Sequence, residues 1–218
     1  ELVSQDDQCK PELATNAATK LISDKVVAIM GPICSGATNA SLPMYESANI
    51  ISISPTATTP ALTLEGKHPL FLRTVANDNA QAQLTSSYII EVLKAKKVAY
   101  LHDNGEYGKG FAQQNRGILE KAGVETVLFE AVTPDAVDFS AVVRKLRRAK
   151  ADVLIFGGYQ NTASKLVQQM RRDRVKTPLI GPDGVKDETF LKMTGKDSEG
   201  VMASYPKDTQ KNNCSEKS

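Results

Sequence analysis

The chain has 218 residues, which is enough for one large domain or two small ones. Hydrophobic residues make up 41% of it and charged residues 24%, which are ordinary fractions for a globular protein. The formal net charge of +2 is too small to indicate a nucleic-acid partner or a charged membrane surface. No apolar run reaches the ~20 residues that a membrane-spanning helix needs.

Strand and helix patterns alternate along the first part of the chain. Short apolar runs predict strands at 2–4, 26–30, 50–53 and 70–74. A helix is predicted to begin at Pro11, because proline suits the first turn of a helix. A second helix is predicted at 37–48, between two of these strands.

A long helix predicted at 79–95 separates these elements from a cleaner repeat of the same pattern. Its inward face is predicted to carry Leu84, Tyr88, Ile89 and Val92. Strands are then predicted at 97–101, 126–130, 153–156, 179–180 and 201–204, with helices between them at 109–122, 139–149, 162–172 and 188–193. Short, continuously apolar strands are typical of parallel sheets covered on both faces, so the predicted class is α/β, doubly wound.

So many strands favour two sheets over one. The stretch 75–78 is typical of a crossover after which the pattern starts again, and Pro206 is a candidate for a second crossover. We therefore expect a partial first lobe at 1–76 and a second lobe at 77–206. The polar segment 207–218 either enters the remainder of the first lobe or is disordered.

The three cysteines leave the redox compartment open at this point. Cys9 and Cys34 each follow a strand-like run, so they could meet if those strands are neighbours. A disulfide would indicate an oxidising compartment, whereas two buried free thiols fit the composition equally well. Cys214 lies in the polar tail, and we expect it to be unpaired.

Motifs for catalysis or metal binding are weak. The glycines of GEYGKG have the wrong spacing for a dinucleotide-binding turn, and no Walker A motif, nucleophile elbow, CxxC or HExxH is present. The two histidines are His68, in a polar loop, and His102, at a strand end. A structural hydrogen bond is a better interpretation of His102 than a general base. We expect no cofactor, no metal and no enzymatic activity.

Polar residues at the strand ends fit a small zwitterionic ligand better. In open parallel sheets, ligands bind beyond the carboxyl ends of the strands. Ser35 stands at a helix start, where free N–H groups attract a carboxylate, and Thr58 can add a hydroxyl and an N–H. Asp183 offers a charge for an ammonium group. The alternatives are an N-cap serine, a turn threonine and a turn aspartate.

Two tyrosines complete this hypothesis. Tyr107 and Tyr159 follow strands of the second lobe, where they could cover an apolar side chain while their hydroxyls form hydrogen bonds. The alternative is that they are rim tyrosines packed against a loop.

The same strand ends carry a family resemblance that spans residues 1–206. The chain resembles the periplasmic branched-chain amino-acid (Leu/Ile/Val) binding proteins of ABC importers in a series of stretches that occur in the same order and spacing. These stretches are GPICSGAT, ISPTATTPALT, LRTVANDNAQ, HDNGEYGKG, DFSAVVRKL, GGYQ and GPDGV. The resemblance implies a type I periplasmic-binding fold, in which two α/β lobes close like a hinge on an amino acid.

The resemblance also implies roles for individual residues. Ser35 and Thr58 would bind the α-carboxylate of the ligand. The Thr56 carbonyl, the Thr58 hydroxyl and Asp183 would bind its α-ammonium group. Tyr107, Tyr159 and Gly184 would line the cleft from the second lobe, with Ile33 in an apolar side-chain pocket. Cys9 and Cys34 would form the family's disulfide, which favours the periplasm.

Two positions depart from the family pattern. The best-known members of the family have glutamate where this chain has Asp183, so the ammonium contact would be shorter, shifted or bridged by water. Position 56 is often a small apolar residue in the family, but a backbone carbonyl contact tolerates threonine. Segments of the family fold at both ends also have no counterpart here. We therefore expect a truncated chain, an exposed strand edge in the first lobe and weakened binding.

The expected function is capture of a branched-chain or similar aliphatic amino acid for delivery to an ABC permease. The full-length protein would be a monomer in the periplasm, or extracytoplasmic and lipid-anchored in a Gram-positive organism. The alternative is a ligand-sensing regulatory domain, for an amide or an amino acid, built on the same fold. The identity of the ligand is left open by the sequence.

Overall fold

The structure, a computed structural model, describes residues 1–134 and 136–206. The predictions for the tail at 207–218, including that for Cys214, lie outside the described residues. Helices and strands alternate along the described ranges. The helices are α1 Pro11–Ser23, α2 Ser35–Ser47, α3 Ala61–Leu64, α4 Asp78–Glu91, α5 Glu106–Lys121, α6 Ser140–Ala149, α7 Gln160–Arg172 and α8 Glu188–Thr194.

The strands form two parallel sheets. They are β1 Ala28–Met30, β2 Ile51–Ser54, β3 Phe71–Arg73, β4 Lys97–His102, β5 Glu125–Ala131, β6 Val153–Gly157, β7 Leu179–Gly181 and β8 Val201–Ala203. The first sheet has the order β1-β2-β3, and the second sheet has the order β5-β4-β6-β7-β8. The predicted α/β class and the presence of two parallel sheets are confirmed. The lobe limits at 1–76 and 77–206 stay a prediction.

The second sheet is buried on both faces. The side chains of Val98 to Leu101 in β4 and Val153 to Phe156 in β6 are at most 1% exposed. Residues on one face pack with α6 and α7, and residues on the other face pack with α4 and α5. This double cover explains why these strands are continuously apolar in the sequence.

The first sheet is covered on one face. Ile29 packs against Leu21 of α1 and Tyr45 of α2. On the opposite face, Met30 is 89% exposed and Leu72 is 50% exposed. The first sheet therefore buries apolar side chains through one face, while the other face carries exposed ones.

The strand predicted at 2–4 is wrong. These residues form no strand in the described part of the chain, and Leu2 is 92% exposed. A short apolar run becomes a strand only if a neighbouring strand satisfies its N–H and C=O groups. Among the described residues, no strand lies beside 2–4.

The inward face predicted for the long helix is correct only at Ile89. Leu84 and Val92 are 58% and 59% exposed, and Tyr88 is also exposed. The buried face of α4 instead carries small residues, among them Ala82, Thr85 and Ser86. The Ser86 hydroxyl donates a 3.0 Å hydrogen bond to the Asn115 side chain of α5, so α4 meets its neighbour through small polar contacts.

Candidate functional site

The start of α2 is held against the loop after β2. Cys34 is the N-cap residue of α2, and no side chain caps the helix. Ser35, the first helical residue, is therefore not a capping serine. Its buried hydroxyl instead accepts a 3.2 Å hydrogen bond from the Thr59 N–H. A helix start without a side-chain cap offers N–H groups to an anion, and the carboxylate site predicted there stays a prediction.

The loop that carries Thr58 is fixed from two sides. The Ser54 hydroxyl accepts a 3.0 Å hydrogen bond from the Ala57 N–H. The Arg73 guanidinium of β3 donates to the carbonyl of Ala57 at 3.2 Å and to that of Thr59 at 2.8 Å. Thr58 is 3% exposed, and its hydroxyl has no hydrogen-bond partner among the described residues. The loop thus presents a buried hydroxyl in a fixed position.

Asp78 lies directly beside this loop. Its N–H donates a 3.0 Å hydrogen bond to the Thr58 carbonyl, and its carboxylate is fully buried at the start of α4. Burial is the largest of the effects that raise the pKa of Asp78 to about 7. The Thr58 hydroxyl lowers this pKa, and the negative charge of Asp183 raises it. The Thr58 hydroxyl is close to the carboxylate but does not reach hydrogen-bonding geometry.

Tyr107, Gly184 and Tyr159 lie around Asp183, which follows β7 of the second sheet. The Tyr107 hydroxyl of α5 donates to an oxygen of Asp183 and accepts a 3.2 Å hydrogen bond from the Gly184 N–H. Burial, followed by the charge of Asp183, raises the pKa of Tyr107 well above its usual value, so the phenol remains a neutral donor. The rings of Tyr107 and Tyr159 have centroids 5.1 Å apart.

Gly184 packs closely against two tyrosine rings. A Cβ atom there would lie 3.1 Å from the Tyr107 ring and 3.1 Å from the Tyr159 ring. Tyr159 in turn packs against Ala37 and Cys34 of the first-sheet region. The tyrosine pair therefore joins the Asp183 loop to the start of α2.

Thr58 and Asp183 face one cavity of about 240 Å³ between the two sheets. Both crossovers line it, through Val75 to Asn77 on one side and Ser204 to Pro206 on the other. Ser35, Tyr107 and Tyr159 are not among the residues that line this cavity. The structure thus brings two of the predicted ligand contacts to a common space.

Two other predicted site residues lie toward solvent. Ile33 is 61% exposed, and Thr56 is exposed with its hydroxyl donating a 2.8 Å hydrogen bond to the Ile33 carbonyl. Their roles in the side-chain pocket and at the ammonium group stay predictions, as do the roles of the other site residues.

The predicted disulfide between Cys9 and Cys34 is confirmed, with the two Cα atoms 5.3 Å apart. It links the segment before α1 to the residue that caps α2. The start of α2 is therefore fixed covalently as well as by Ser35.

The histidines have structural partners. His102 is buried, and its Nδ1 accepts a 3.1 Å hydrogen bond from the Asn104 N–H, as the structural interpretation predicted. His68 Nδ1 lies 3.2 Å from the carboxylate of Glu46.

Over residues 1–134 and 136–206, no group of three or more potential metal ligands comes together. Within the same ranges, no helix is both long and apolar enough to cross a membrane.

Arg73 and Asp78 are not among the site residues predicted from the sequence. Both lie in the stretch LRTVANDNAQ, which carries part of the family resemblance. A signal was available, because an arginine at a strand end and an aspartate at a helix start close to a crossover are charges next to the expected cleft. Nothing in the sequence indicated that Asp78 would be fully buried.

The sequence matches known proteins over most of its length. A family model described as periplasmic binding protein matches residues 1–213. The Leu/Ile/Val-binding protein of Citrobacter freundii is 34% identical over 206 residues, which cover 94% of this chain and 56% of that protein. The chain therefore spans little more than half the length of this relative.

Two solved structures share the fold. The branched-chain amino acid transporter substrate binding protein LivJ from Streptococcus pneumoniae, in complex with isoleucine, matches with a TM-score of 0.80 and 32% identity, covering 89% of this chain and 55% of that one. The leucine binding protein LivK from Thermotoga maritima matches with a TM-score of 0.91 and 22% identity, covering 97% and 60%. These likenesses confirm the predicted type I periplasmic-binding fold, of which this chain holds a part.

Proposed function

The chain belongs to the periplasmic binding protein family, and from this premise we propose that it captures a branched-chain or similar aliphatic amino acid for an ABC importer. The similar proteins are named for leucine, isoleucine and valine binding or for transport. Because none of these names refers to signalling, the sensor alternative is not proposed.

The observation that carries the proposal is the shared cavity of Thr58 and Asp183. These residues come from opposite sheets, so a ligand that contacts both holds the two halves together. The uncapped start of α2 with Ser35 suits the α-carboxylate. Asp183, fixed by Tyr107, suits the α-ammonium group. Closure is then a population shift toward the form in which both ends of the ligand are bound.

The chemistry of this site is binding without bond formation. Tyr107 is held as a neutral hydrogen-bond donor to Asp183, and Ser35 accepts from a backbone N–H. The pKa of Tyr107 is raised well above its usual value, so the phenol keeps its proton and is a poor nucleophile. We propose that the protein is a receptor and not an enzyme.

The partners and the compartment follow from the same proposal. An ABC permease would receive the ligand, and the full-length receptor would act as a monomer. The Cys9–Cys34 disulfide supports an oxidising compartment, such as the periplasm or the outer side of a Gram-positive membrane.

Calorimetric titration of the protein with leucine, isoleucine and valine tests this function. Asp183→Ala should lose about 2–5 kcal/mol of binding free energy, because a buried ammonium group is left without its counter-charge. Asp187→Ala removes a carboxylate four residues further along that caps α8 and faces solvent, so it should keep the wild-type affinity. Unchanged leucine affinity in Asp183→Ala would remove Asp183 from the site. Absence of binding by all three amino acids would contradict the function.

A further inference from the structure

Three hydroxyl side chains in and just after β2 hold the segment that leads into α2. Each donates a hydrogen bond to a backbone carbonyl, and the three acceptors are consecutive residues of the chain. The pairs are Ser52 with Gly31 at 2.7 Å, Ser54 with Pro32 at 2.6 Å, and Thr56 with Ile33 at 2.8 Å. Side chains two residues apart on a strand point to the same face, so β2 presents Ser52 and Ser54 in a row along this segment.

Ser54 differs from the other two because its hydroxyl bonds to two loops. It donates to the Pro32 carbonyl in the segment before α2, and it accepts a 3.0 Å hydrogen bond from the Ala57 N–H in the loop that carries Thr58. A serine hydroxyl has one proton and two lone pairs, so both bonds can form together. In the described chain, the Ser52 hydroxyl bonds only to Gly31.

Ser54 lies too deep to touch a ligand in the cavity. Its side chain is fully buried, and within the described ranges it is not among the residues that line the cavity. Its two hydrogen bonds act on the backbone of the neighbouring loops. The chemistry open to Ser54 is therefore to fix the distance between these loops.

The proposed carboxylate end of the site depends on both loops. One leads to Ser35 at the start of α2, and the other carries the buried Thr58 hydroxyl. The two oxygens of a carboxylate have a fixed separation, so donors from two loops bind them well only when the loops are correctly spaced. Donors that are held in place before the ligand arrives give higher affinity, because less ordering is needed on binding.

We propose that Ser54 is a positioning residue, which sets the separation of Ser35 and Thr58 and thereby the affinity for the ligand. This inference rests on the proposed function. Without the Ser54 hydroxyl, the Ala57 N–H loses its acceptor, and the Pro32 carbonyl keeps only a 3.3 Å bond from the Thr38 hydroxyl. Buried polar groups without partners are costly, so the two loops should move apart or shift to satisfy them.

Calorimetry with leucine, isoleucine and valine on Ser54→Ala and Ser52→Ala tests this role. Ser52 is the matched control, because it lies on the same face of β2, is equally buried, and loses a hydrogen bond to the same segment. Ser54→Ala should bind the tightest of the three amino acids about tenfold more weakly than wild type, which corresponds to ~1.4 kcal/mol.

Ser52→Ala should keep the wild-type affinity, measured at a temperature at which thermal unfolding shows both variants to be folded. Ser54→Thr retains the hydroxyl and should recover most of the affinity that Ser54→Ala loses. Equal losses in Ser54→Ala and Ser52→Ala, or a Ser54→Thr variant as weak as Ser54→Ala, would overturn the positioning role and leave the receptor function in place.

A measurement on wild-type protein keeps the test valid even if Ser54→Ala does not fold. Hydrogen exchange followed by NMR should show the Ala57 N–H protected in the ligand-free protein, because its bond to Ser54 exists before the ligand binds. Rapid exchange of this N–H without ligand would overturn the proposal. If wild-type protein binds none of the three amino acids, the proposed function itself fails.

Discussion

The two sheets differ in how they are supported. In the second sheet, β4 and β6 lie in the middle of five strands and are covered by helices on both faces. In the first sheet, three strands rest on α1 and α2 through one face, and Met30 is almost fully exposed on the other. Since buried apolar area is the main source of stability, the second sheet should hold its shape by itself more firmly than the first.

This difference matters for the site, because the residues at its two ends belong to different sheets. Asp183, Tyr107 and Gly184 stand on the doubly covered sheet, and Tyr107 links the other two directly. Ser35 and Thr58 stand on the first sheet, where side-chain hydrogen bonds and a disulfide position them. The proposed ammonium end is therefore built on a packed core, whereas the proposed carboxylate end depends on a few specific polar and covalent contacts.

Matched truncations of one isoleucine in each sheet should give the largest effect. Ile155 of β6 is fully buried, and Ile155→Ala should lower the free energy of unfolding by about 3–5 kcal/mol. Ile29 of β1 is 8% exposed in a smaller cluster, so Ile29→Ala should cost only about 2 kcal/mol. Urea unfolding measures both losses. Equal losses of unfolding free energy would show that the two sheets are equally stable, which would contradict the expected difference between them.

Removal of the disulfide should have the next largest effect, and it should act on the first sheet. The Cys9–Cys34 bond closes a loop with a sequence separation of 25. Chain entropy then predicts a loss of about 3 kcal/mol for Cys9→Ser with Cys34→Ser. Hydrogen exchange should show lost protection in α1 and α2 and unchanged protection in β4 and β6. Reductant should destabilise the wild type to the same extent and leave the double variant unaffected; faster exchange in β4 would contradict this division.

The sequence predicted the doubly covered sheet best, for a physical reason. Strands buried on both faces must be apolar at every position, so β4 and β6 are visible as continuous runs. The segment 2–4 has a similar short apolar run and forms no strand. Pairing depends on which strand lies alongside, and a local pattern carries no information about that neighbour.

Helix α4 shows a second limit of local patterns. Its large apolar residues Leu84 and Val92 are exposed, whereas Thr85 and Ser86 are buried against α5. Small polar residues can be buried when a partner side chain satisfies them, as Asn115 does for Ser86. Hydrophobic periodicity cannot register such a pair, because its members lie on different helices.

The candidate site likewise contains some residues that a local sequence pattern indicates and others that it does not. Ser35, Thr58 and Asp183 can be proposed from the sequence, because hydroxyls and carboxylates at strand ends are chemically informative in themselves. Asp78 and Arg73 were missed because their importance lies in burial and in partners, which arise only when β3, the Thr58 loop and α4 pack together.

The smallest predicted effect concerns the crossover at 75–78, which connects the two sheets. The Asn77 side chain accepts a 3.1 Å hydrogen bond from the Asn79 N–H and caps α4 beside Asp78. Asp187 makes the corresponding 2.6 Å bond at the start of α8, away from the cavity that Asn77 lines. Asn77→Ala and Asp187→Ala should each cost about 1 kcal/mol of stability, because each leaves a helix N–H without its acceptor.

Ligand affinity should separate these two variants. Loosening the start of α4 moves the crossover that holds Asp78 against Thr58, so Asn77→Ala should bind leucine more weakly, by about tenfold or less. Asp187→Ala should bind it as the wild type does. Thermal unfolding and calorimetry on the two proteins measure both quantities. If Asn77→Ala lost stability but kept full affinity, the crossover at 75–78 would only connect the two sheets and would not contribute to ligand binding.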